Sequence, residues 1–268
     1  MKYSRRREER LRRRLLNGKQ PISRLFPNMI TIGGMCCGLS AIRFAMLGRF
    51  EISVMFIIAA AIIDGMDGRI ARMLGATSDF GAQLDSLSDF LCFGVAPALV
   101  VYMWQLNEVK GIGWAVVLFF SVCVALRLAR FNTDLFNYDK QKWEKEFFVG
   151  MPSPAGGILC LIPVILHIQT DRYFIMPHFV TIGYMVIIAT LMASRIPTFS
   201  GKNIKISHEW IPKFMIFFSF MLVFFIIEPW IFISTLGIVY LCSIFFSVKQ
   251  YKNLEKQHAT QQIPANEK

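Results

Sequence analysis

The sequence predicts an all-α integral membrane protein with about eight transmembrane helices. Of its 268 residues, 54% are hydrophobic and only 18% are charged, with a mean hydropathy of +0.47. Mostly apolar runs of about 20 residues recur along the whole chain, and each is long enough to cross a hydrocarbon core of about 30 Å. Basic residues concentrate after alternate apolar runs, as positive-inside orientation requires.

The predicted elements follow in order along the chain. The eight spans cover residues 27–47, 51–73, 81–104, 111–131, 154–170, 174–194, 211–227 and 229–248. Span one begins at PNMIT, where Asn28 can cap the helix after Pro27. Span two contains VMFIIAAAII and ends in DGMDGRIAR, and LDSLSD lies at the cytoplasmic start of span three. Span four ends in ALRLARFN, and a charged loop over 132–153 leads to span five.

Span five begins within PSPAGG (152–157). We expect Ser153 to be its N-cap and Pro154 its first helical residue, followed by small residues that pack against a neighbouring helix. The links between the remaining spans are short. The six cysteines all lie in apolar stretches without a metal or redox spacing, and they are predicted to be small packing residues.

Charge placement predicts the orientation. Ten of the 29 basic residues lie in the first 24 positions, and the predicted outer loops hold only Arg49, Lys110 and Arg172. We therefore expect both termini, 1–26 and 249–268, in the cytoplasm. The net charge of +11 comes with no nucleic-acid-binding motif, so no nucleic-acid partner is expected. The N-terminal RRREERLRRRLL is too charged for a signal peptide, and it either binds an anionic leaflet or only sets orientation.

Four aspartates with helical spacing are the main functional signal. Asp64 and Asp67 share a face of span two, and Asp85 and Asp89 share a face of span three. A short link from Ser78 makes these spans a hairpin, so the four carboxylates are predicted to converge. Carboxylates at a membrane boundary require a cationic partner. An oxygen-only set favours a hard cation such as Mg²⁺, Mn²⁺ or Ca²⁺, and four carboxylates suit two ions that clamp a phosphoryl group.

The glycines among these aspartates need an explanation, because glycine inside a helix costs about 1 kcal/mol relative to alanine. For Gly68 we favour close approach of a phosphate or ribose to the backbone over a helix contact. For Gly65, Gly75 and Gly81 we favour packing or turn roles. Ordinary ion-paired helix ends would explain one or two aspartates, such as Asp79, but not four with regular spacing.

The spacing D-x-x-D-G-x-x-A-R-x8-G-x-x-x-D-x-x-x-D, complete from Asp64 to Asp89, resembles the motif of the CDP-alcohol phosphatidyltransferase family. The resemblance covers a six-span catalytic core over 27–194; residues 195–248 form a loop and two added spans. It implies transfer of a phosphatidyl group from CDP-diacylglycerol to an alcohol with release of CMP. It also implies that Asp64, Asp67 and Asp85 bind two divalent cations, Mg²⁺ or Mn²⁺.

The remaining roles also come from the resemblance. Asp89 would be a partial metal ligand and the general base. The donor would be bound by a set of residues at matching positions. These are Gly68, Arg72, Ser78, Asn28 and Thr31. Family members tend to form homodimers, so a homodimer is expected.

The acceptor is predicted from other stretches. ALRLARFN, GMPSPAGG (150–157) and SRIPTFSGKNIKI (194–206) resemble the phosphatidylserine synthase branch. Arg127 and Arg130 share a face and would bind the serine carboxylate, and Asn132 would orient the amino group. The two arginines would equally serve as topology anchors.

We therefore expect L-serine as acceptor, at the cytoplasmic face of a bacterial inner membrane. The nearer alternative keeps the chemistry and changes the acceptor to glycerol 3-phosphate, inositol phosphate or an amino alcohol. The distant alternative is a cation transporter, in which polar residues would be distributed through the membrane depth.

Overall fold

The structure is a computed structural model that describes residues 26–76, 78–134, 147–171, 173, 175–194, 197–199 and 210–262. The basic N-terminal segment, Arg172 and most of the segments 132–153 and 194–206 lie outside this range. The elements are given in chain order. They are α1 (Phe26–Met46), α2 (Phe50–Met73), α3 (Asp79–Asp89), a π-helical segment (Phe90–Val95), α4 (Ala96–Trp104), a 3₁₀ segment (Leu106–Val109), α5 (Gly111–Asp134), β1 (Phe147–Val149), α6 (Ser153–Cys160), α7 (Ile162–Gln169), α8 (His178–Ala193), β2 (Pro197–Phe199), α9 (Ile211–Ile227) and α10 (Pro229–Gln262).

The predicted helical architecture is confirmed, because each of the eight predicted spans is helical over most of its length. Among the described residues, three helical stretches are long and apolar enough to cross a membrane: Phe26–Met46, Asp79–Trp104 and Gly111–Thr133. Shorter apolar helices cover His178–Ala193, Ile211–Ile227 and Pro229–Ile244. The last helix differs from the prediction, because α10 continues to Gln262 through most of the segment expected to be a polar tail.

Prolines explain two interruptions that the apolar pattern did not reveal. A proline lacks the N–H that bonds the carbonyl four residues earlier, and its ring crowds that carbonyl. Pro163 therefore frees the Leu159 carbonyl, and the predicted fifth span is divided into α6 and α7 at Leu161. The hydroxyl of Tyr184 in α8 donates a hydrogen bond of 2.9 Å to this carbonyl. In the predicted third span, Pro97 is the second residue of α4, directly after the π-helical segment, and it likewise lacks an N–H to donate.

The core lies around the π-helical segment, where small residues bring helices together. Phe93 and Phe120 are buried there. A Cβ on Gly157 of α6 would lie 2.9 Å from the Phe93 Cα, so only glycine permits this approach. The expectation that the small residues of PSPAGG pack against neighbouring helices is confirmed. Gly65 differs, because a Cβ there would meet nothing within 4 Å, and the predicted packing role is wrong.

Two contacts fix the hairpin of α1 and α2. Ser53 donates a hydrogen bond of 2.7 Å to the Ala41 carbonyl, and the rings of Phe44 and Phe56 stack with centroids 5.3 Å apart. At the far end of α2, Gly75 has φ +58° and reverses the chain toward α3, which confirms its predicted turn role. This turn places the end of α2 beside the start of α3.

The short strands β1 and β2 pair in antiparallel fashion, with Phe148 opposite Thr198. They are the only strands among the described residues, and the apolar periodicity did not predict them. Their pairing satisfies backbone N–H and carbonyl groups where the chain enters α6 and where it leaves α8. The entry to α6 is therefore held beside the exit from α8.

Candidate active site

Three aspartates form the centre of the site. Asp64 and Asp67 project from α2 and Asp85 from α3, and each offers a carboxylate oxygen within 4.8 Å of the others. Asp67 is buried, whereas Asp64 and Asp85 are partly exposed. The spacing of three residues within α2 and the tight turn after it bring these side chains together. Three carboxylates at this separation could hold a divalent cation.

The Thr31 hydroxyl in α1 fixes one of these carboxylates. It donates a hydrogen bond of 2.8 Å to Asp67 Oδ2 and lies 3.2 Å from the Pro27 carbonyl. A threonine hydroxyl on a neighbouring helix therefore limits the rotation of Asp67. The sequence had associated Thr31 with a bound nucleotide; its contact in the structure is with Asp67.

A cleft of about 400 Å³ opens beside the aspartates and brings together all five residues predicted to bind the donor. Its lining includes Asn28, Thr31, Gly68, Arg72 and Ser78, together with Asp67 and Asp85. A Cβ on Gly68 would meet nothing within 4 Å, so no packing contact requires glycine there. The absent side chain instead leaves open space in the wall of the cleft.

The rim of the cleft is built at the start of α3. Ser78 is the N-cap, and its Oγ accepts a hydrogen bond of 3.0 Å from the Gly81 N–H. A Cβ on Gly81 would lie 3.0 Å from Asn28 Oδ1, which confirms the close-packing role of this glycine. Ser78 thus begins α3 at the rim, and the absence of a side chain at Gly81 lets α3 lie close to Asn28 of α1.

The fourth aspartate, Asp89, lies one turn beyond Asp85 at the end of α3, next to the π-helical segment. Its Oδ2 accepts a hydrogen bond of 2.8 Å from the hydroxyl of Ser153 in α6. Its Oδ1 is buried and has no hydrogen-bond partner among the described residues. Its carboxyl also adjoins that of Asp64.

Ser153 is a site residue that the sequence analysis did not find. Expected to be an N-cap, it is instead the first residue of α6, and Pro152 occupies the cap position. Its buried hydroxyl accepts a hydrogen bond from Arg127 Nη1 while it donates to Asp89. Arg127 Nε donates to the Met151 carbonyl. The chain arginine–serine–aspartate therefore links α5, α6 and α3.

The other predicted acceptor residues connect helices. Arg130 Nη1 donates a hydrogen bond of 2.7 Å to the Ala193 carbonyl at the end of α8. Asn132 Nδ2 lies 3.0 Å from the Ser86 hydroxyl, next to Asp85 in sequence. These contacts stabilise the same end of the bundle, and an acceptor-binding role for either residue stays a prediction.

The donor set fits hard divalent cations, which prefer carboxylate oxygens. The buried, unpartnered Asp89 Oδ1 supports this fit, because a buried carboxylate oxygen without a partner is costly unless a cation or donor satisfies it. Asp64 adjoins both Asp89 and the cluster with Asp67 and Asp85. The four carboxylates are therefore contiguous.

Comparison with known proteins identifies the class to which this fold and site belong. Residues 24–194 match the CDP-alcohol phosphatidyltransferase family, and the chain belongs to that family. It is an integral membrane enzyme of a family that uses divalent metal.

Particular relatives extend the comparison beyond the family. The CDP-diacylglycerol–serine O-phosphatidyltransferase of Mycobacterium leprae is 35% identical over 224 residues, which cover 84% of this chain and 74% of the relative. The protein of the same name from Helicobacter pylori strain J99 is 33% identical over 206 residues, covering 74% of this chain and 82% of the relative. That of Bacillus subtilis is 38% identical over 151 residues, covering 54% and 81%.

Proposed function

We propose that the chain transfers the phosphatidyl group of CDP-diacylglycerol to the hydroxyl of L-serine, giving phosphatidylserine and CMP. The observation that carries this proposal is a single cleft whose lining includes Asp67, Asp85, Gly68 and Arg72. The relatives named above act on serine, and this favours serine over glycerol 3-phosphate, inositol phosphate or an amino alcohol. Carboxylates gathered at one end of the bundle also suit phosphate chemistry better than an ion path.

The cleft would hold the cytidine diphosphate part of the donor. Arg72 offers a planar fork of N–H donors, which suits phosphate oxygens. Open space at Gly68 would let the diphosphate approach the backbone of α2 closely. Asn28 and Ser78 at the rim would contact the nucleotide.

We propose that Asp64, Asp67, Asp85 and Asp89 hold two divalent cations, Mg²⁺ or Mn²⁺. Bound cations would neutralise the diphosphate and stabilise the charge that develops during transfer. Thr31 would keep one Asp67 oxygen in a fixed direction through its 2.8 Å hydrogen bond. The ligand geometry would thus be set by the protein before the donor binds.

Asp89 would accept the proton of the serine hydroxyl as the serine oxygen forms its bond to phosphorus. The phosphorus–oxygen bond to CMP breaks in the same displacement, and CMP leaves with the bonding electron pair. Ser153 donates a hydrogen bond to Asp89 Oδ2, whereas Oδ1 has no hydrogen-bond partner among the described residues, so Oδ1 would face both the cation site and the acceptor hydroxyl. A hydroxyl is a weak nucleophile, and a positioned carboxylate contributes about 10²–10⁴ in rate.

Arg127 is the acceptor-binding residue that we favour, because it lies one hydrogen-bonded residue away from Asp89. A guanidinium has five N–H donors, of which the bonds to Met151 and Ser153 use two. The others would bind the serine carboxylate. Arg130 and Asn132 would act at the edge of this acceptor pocket.

We further propose that residues 27–194 form the catalytic core, with 195–248 as an addition. The aspartates and both termini would lie on the cytoplasmic side of a bacterial inner membrane. The concentration of ten basic residues before position 25 supports this orientation. Family resemblance supports a homodimer.

The test is CMP release from CDP-diacylglycerol by the purified protein with Mg²⁺ or Mn²⁺. We expect release that depends on L-serine and stops on addition of EDTA. Glycerol 3-phosphate, inositol phosphate and ethanolamine are the comparison acceptors. Release with one of these instead of serine would contradict the acceptor, and the absence of release with any acceptor would contradict the proposed reaction.

A further inference from the structure

One polar group lies in the wall of an otherwise apolar groove between α2, α6, α9 and α10. Among the described residues that line this groove, Tyr240 of α10 is the only polar one. Its hydroxyl is buried and has no hydrogen-bond partner among the described residues. Burial of a hydroxyl without a partner costs free energy, so a bound group with an acceptor oxygen would stabilise this arrangement.

Close packing of α10 fixes where this hydroxyl lies. A Cβ on Gly237 would come within 3.1 Å of the Ile162 side chain, so α10 lies directly against α7 at that point. Tyr240 is three residues further along α10 and therefore shares the helix face of Gly237. It lines the groove together with Ala155, which is two residues after Ser153 on α6. The tyrosine is therefore held next to the start of α6, the helix that carries Ser153.

The charged group near this hydroxyl is Arg127 of α5. The Tyr240 hydroxyl and the guanidinium are close enough to interact electrostatically. The hydrogen bonds described for Arg127 go from Nε to the Met151 carbonyl and from Nη1 to Ser153, which leaves Nη2 to donate to a ligand. Two donors, the tyrosine hydroxyl and Nη2, therefore lie near each other without a protein acceptor among the described residues.

This pair of donors suits a carboxylate, which can accept one hydrogen bond on each of its oxygens. Of the two proposed substrates, serine carries a carboxylate, whereas the phosphates of the donor would lie in the cleft beside Gly68 and Arg72. Arg127 bonds to Ser153, and Ser153 bonds to the proposed base Asp89. Because serine carries its hydroxyl and its carboxylate on neighbouring carbons, one molecule could reach both Asp89 and Arg127.

We infer that Tyr240 is a further acceptor-binding residue, whose hydroxyl donates a hydrogen bond to one carboxylate oxygen of serine while Arg127 binds the other. The inference rests on the proposed function. It extends the acceptor site to α10, beyond residues 24–194, which match the family. The serine carboxylate would satisfy the buried hydroxyl that has no described protein partner.

The experiment is Tyr240→Phe, which keeps the ring in the groove wall and removes only the hydroxyl. In serine-dependent CMP release, we expect KM for L-serine to rise about tenfold or more, as the loss of a hydrogen bond to a charged group does. Both kcat at saturating serine and KM for CDP-diacylglycerol should stay within about threefold of wild type. With ethanolamine, which lacks the carboxylate, variant and wild type should differ by less than about threefold.

Tyr184→Phe is the matched control, because it also removes a tyrosine hydroxyl, one that donates a hydrogen bond of 2.9 Å to the Leu159 carbonyl. Its KM for serine should stay within about threefold of wild type. An unchanged KM for serine in Tyr240→Phe, or a raised KM for the donor instead, would overturn the role of Tyr240 and leave the proposed function intact. An equal rise in both variants would also overturn it, since that result indicates a general loosening of the bundle. The absence of serine-dependent CMP release by the wild-type protein would overturn both the inference and the proposed function.

Discussion

Replacing Ser153 by alanine tests whether this residue positions the proposed base. The hydroxyl donates a 2.8 Å hydrogen bond to Asp89 Oδ2 and accepts one from Arg127, and it is 1% exposed. In Ser153→Ala, Asp89 Oδ2 would lose the hydroxyl that donates to it. The carboxylate would then be held less firmly in its orientation toward the acceptor hydroxyl. The substitution should therefore lower kcat.

The magnitude follows from the kind of bond. Hydrogen bonds to charged groups contribute about 1.5–3 kcal/mol, and each 1.36 kcal/mol is tenfold in rate. If all of this free energy holds Asp89 in its reactive orientation, kcat falls about 10–150-fold. KM for CDP-diacylglycerol should change less than about threefold, because Ser153 is not among the residues that line the donor cleft.

The assay is serine-dependent CMP release at saturating Mg²⁺ over a range of donor and serine concentrations. Ser88→Ala is the matched control, since Ser88 is also buried and precedes Asp89 directly, but its hydroxyl lies 3.5 Å from the Thr31 carbonyl. We expect the control to keep kcat within about threefold. An equal loss in both variants, or unchanged kcat in Ser153→Ala, would refute the positioning role. A raised KM for serine alone would place Ser153 in the acceptor site instead.

Three further predictions concern single positions. Asp89→Asn should abolish CMP release while metal-dependent donor binding, measured by calorimetry, stays near wild type; full activity would remove Asp89 as the base. Gly68→Ala and Gly65→Ala should each stabilise α2 by about 1 kcal/mol in thermal unfolding, because neither Cβ meets an atom within 4 Å. Only Gly68→Ala should raise KM for the donor, since Gly68 lines the cleft; equal KM values would exclude close approach there. Gly157→Ala should destabilise the protein by about 1–3 kcal/mol, because its Cβ would lie 2.9 Å from the Phe93 Cα, and an unchanged melting temperature would contradict the close packing.

The sequence predicted the helices well because apolar run length is a local property. Chain segments that cross lipid must satisfy their backbone internally, so each long apolar run in this chain forms a helix. Breaks within a helix were harder to predict, since the free-energy cost of a freed carbonyl depends on whether a neighbouring helix offers a hydrogen-bond donor. Pro163 divides α6 from α7, and the Leu159 carbonyl that it frees is satisfied by Tyr184, 25 residues further along the chain.

The aspartates were also predictable from sequence, because residues three or four apart share a helix face wherever the helix lies. Their mutual distance required only the tight turn at Gly75. In contrast, Ser153 carried the local signal of an N-cap, a serine before proline. Its true partner is Asp89, 64 residues away, and no periodicity links the two.

The apolar helices, the two helix faces that carry the aspartate pairs and the family to which the chain belongs all follow from the sequence. These depend on spacing within single segments. Only the packed helices show that Arg127, Ser153 and Asp89 form one hydrogen-bonded chain, and that α2, α6, α9 and α10 together line an apolar groove. The physical reason is that a hydrogen bond or a cavity wall between different helices depends on their relative placement, which the packing of the whole bundle fixes.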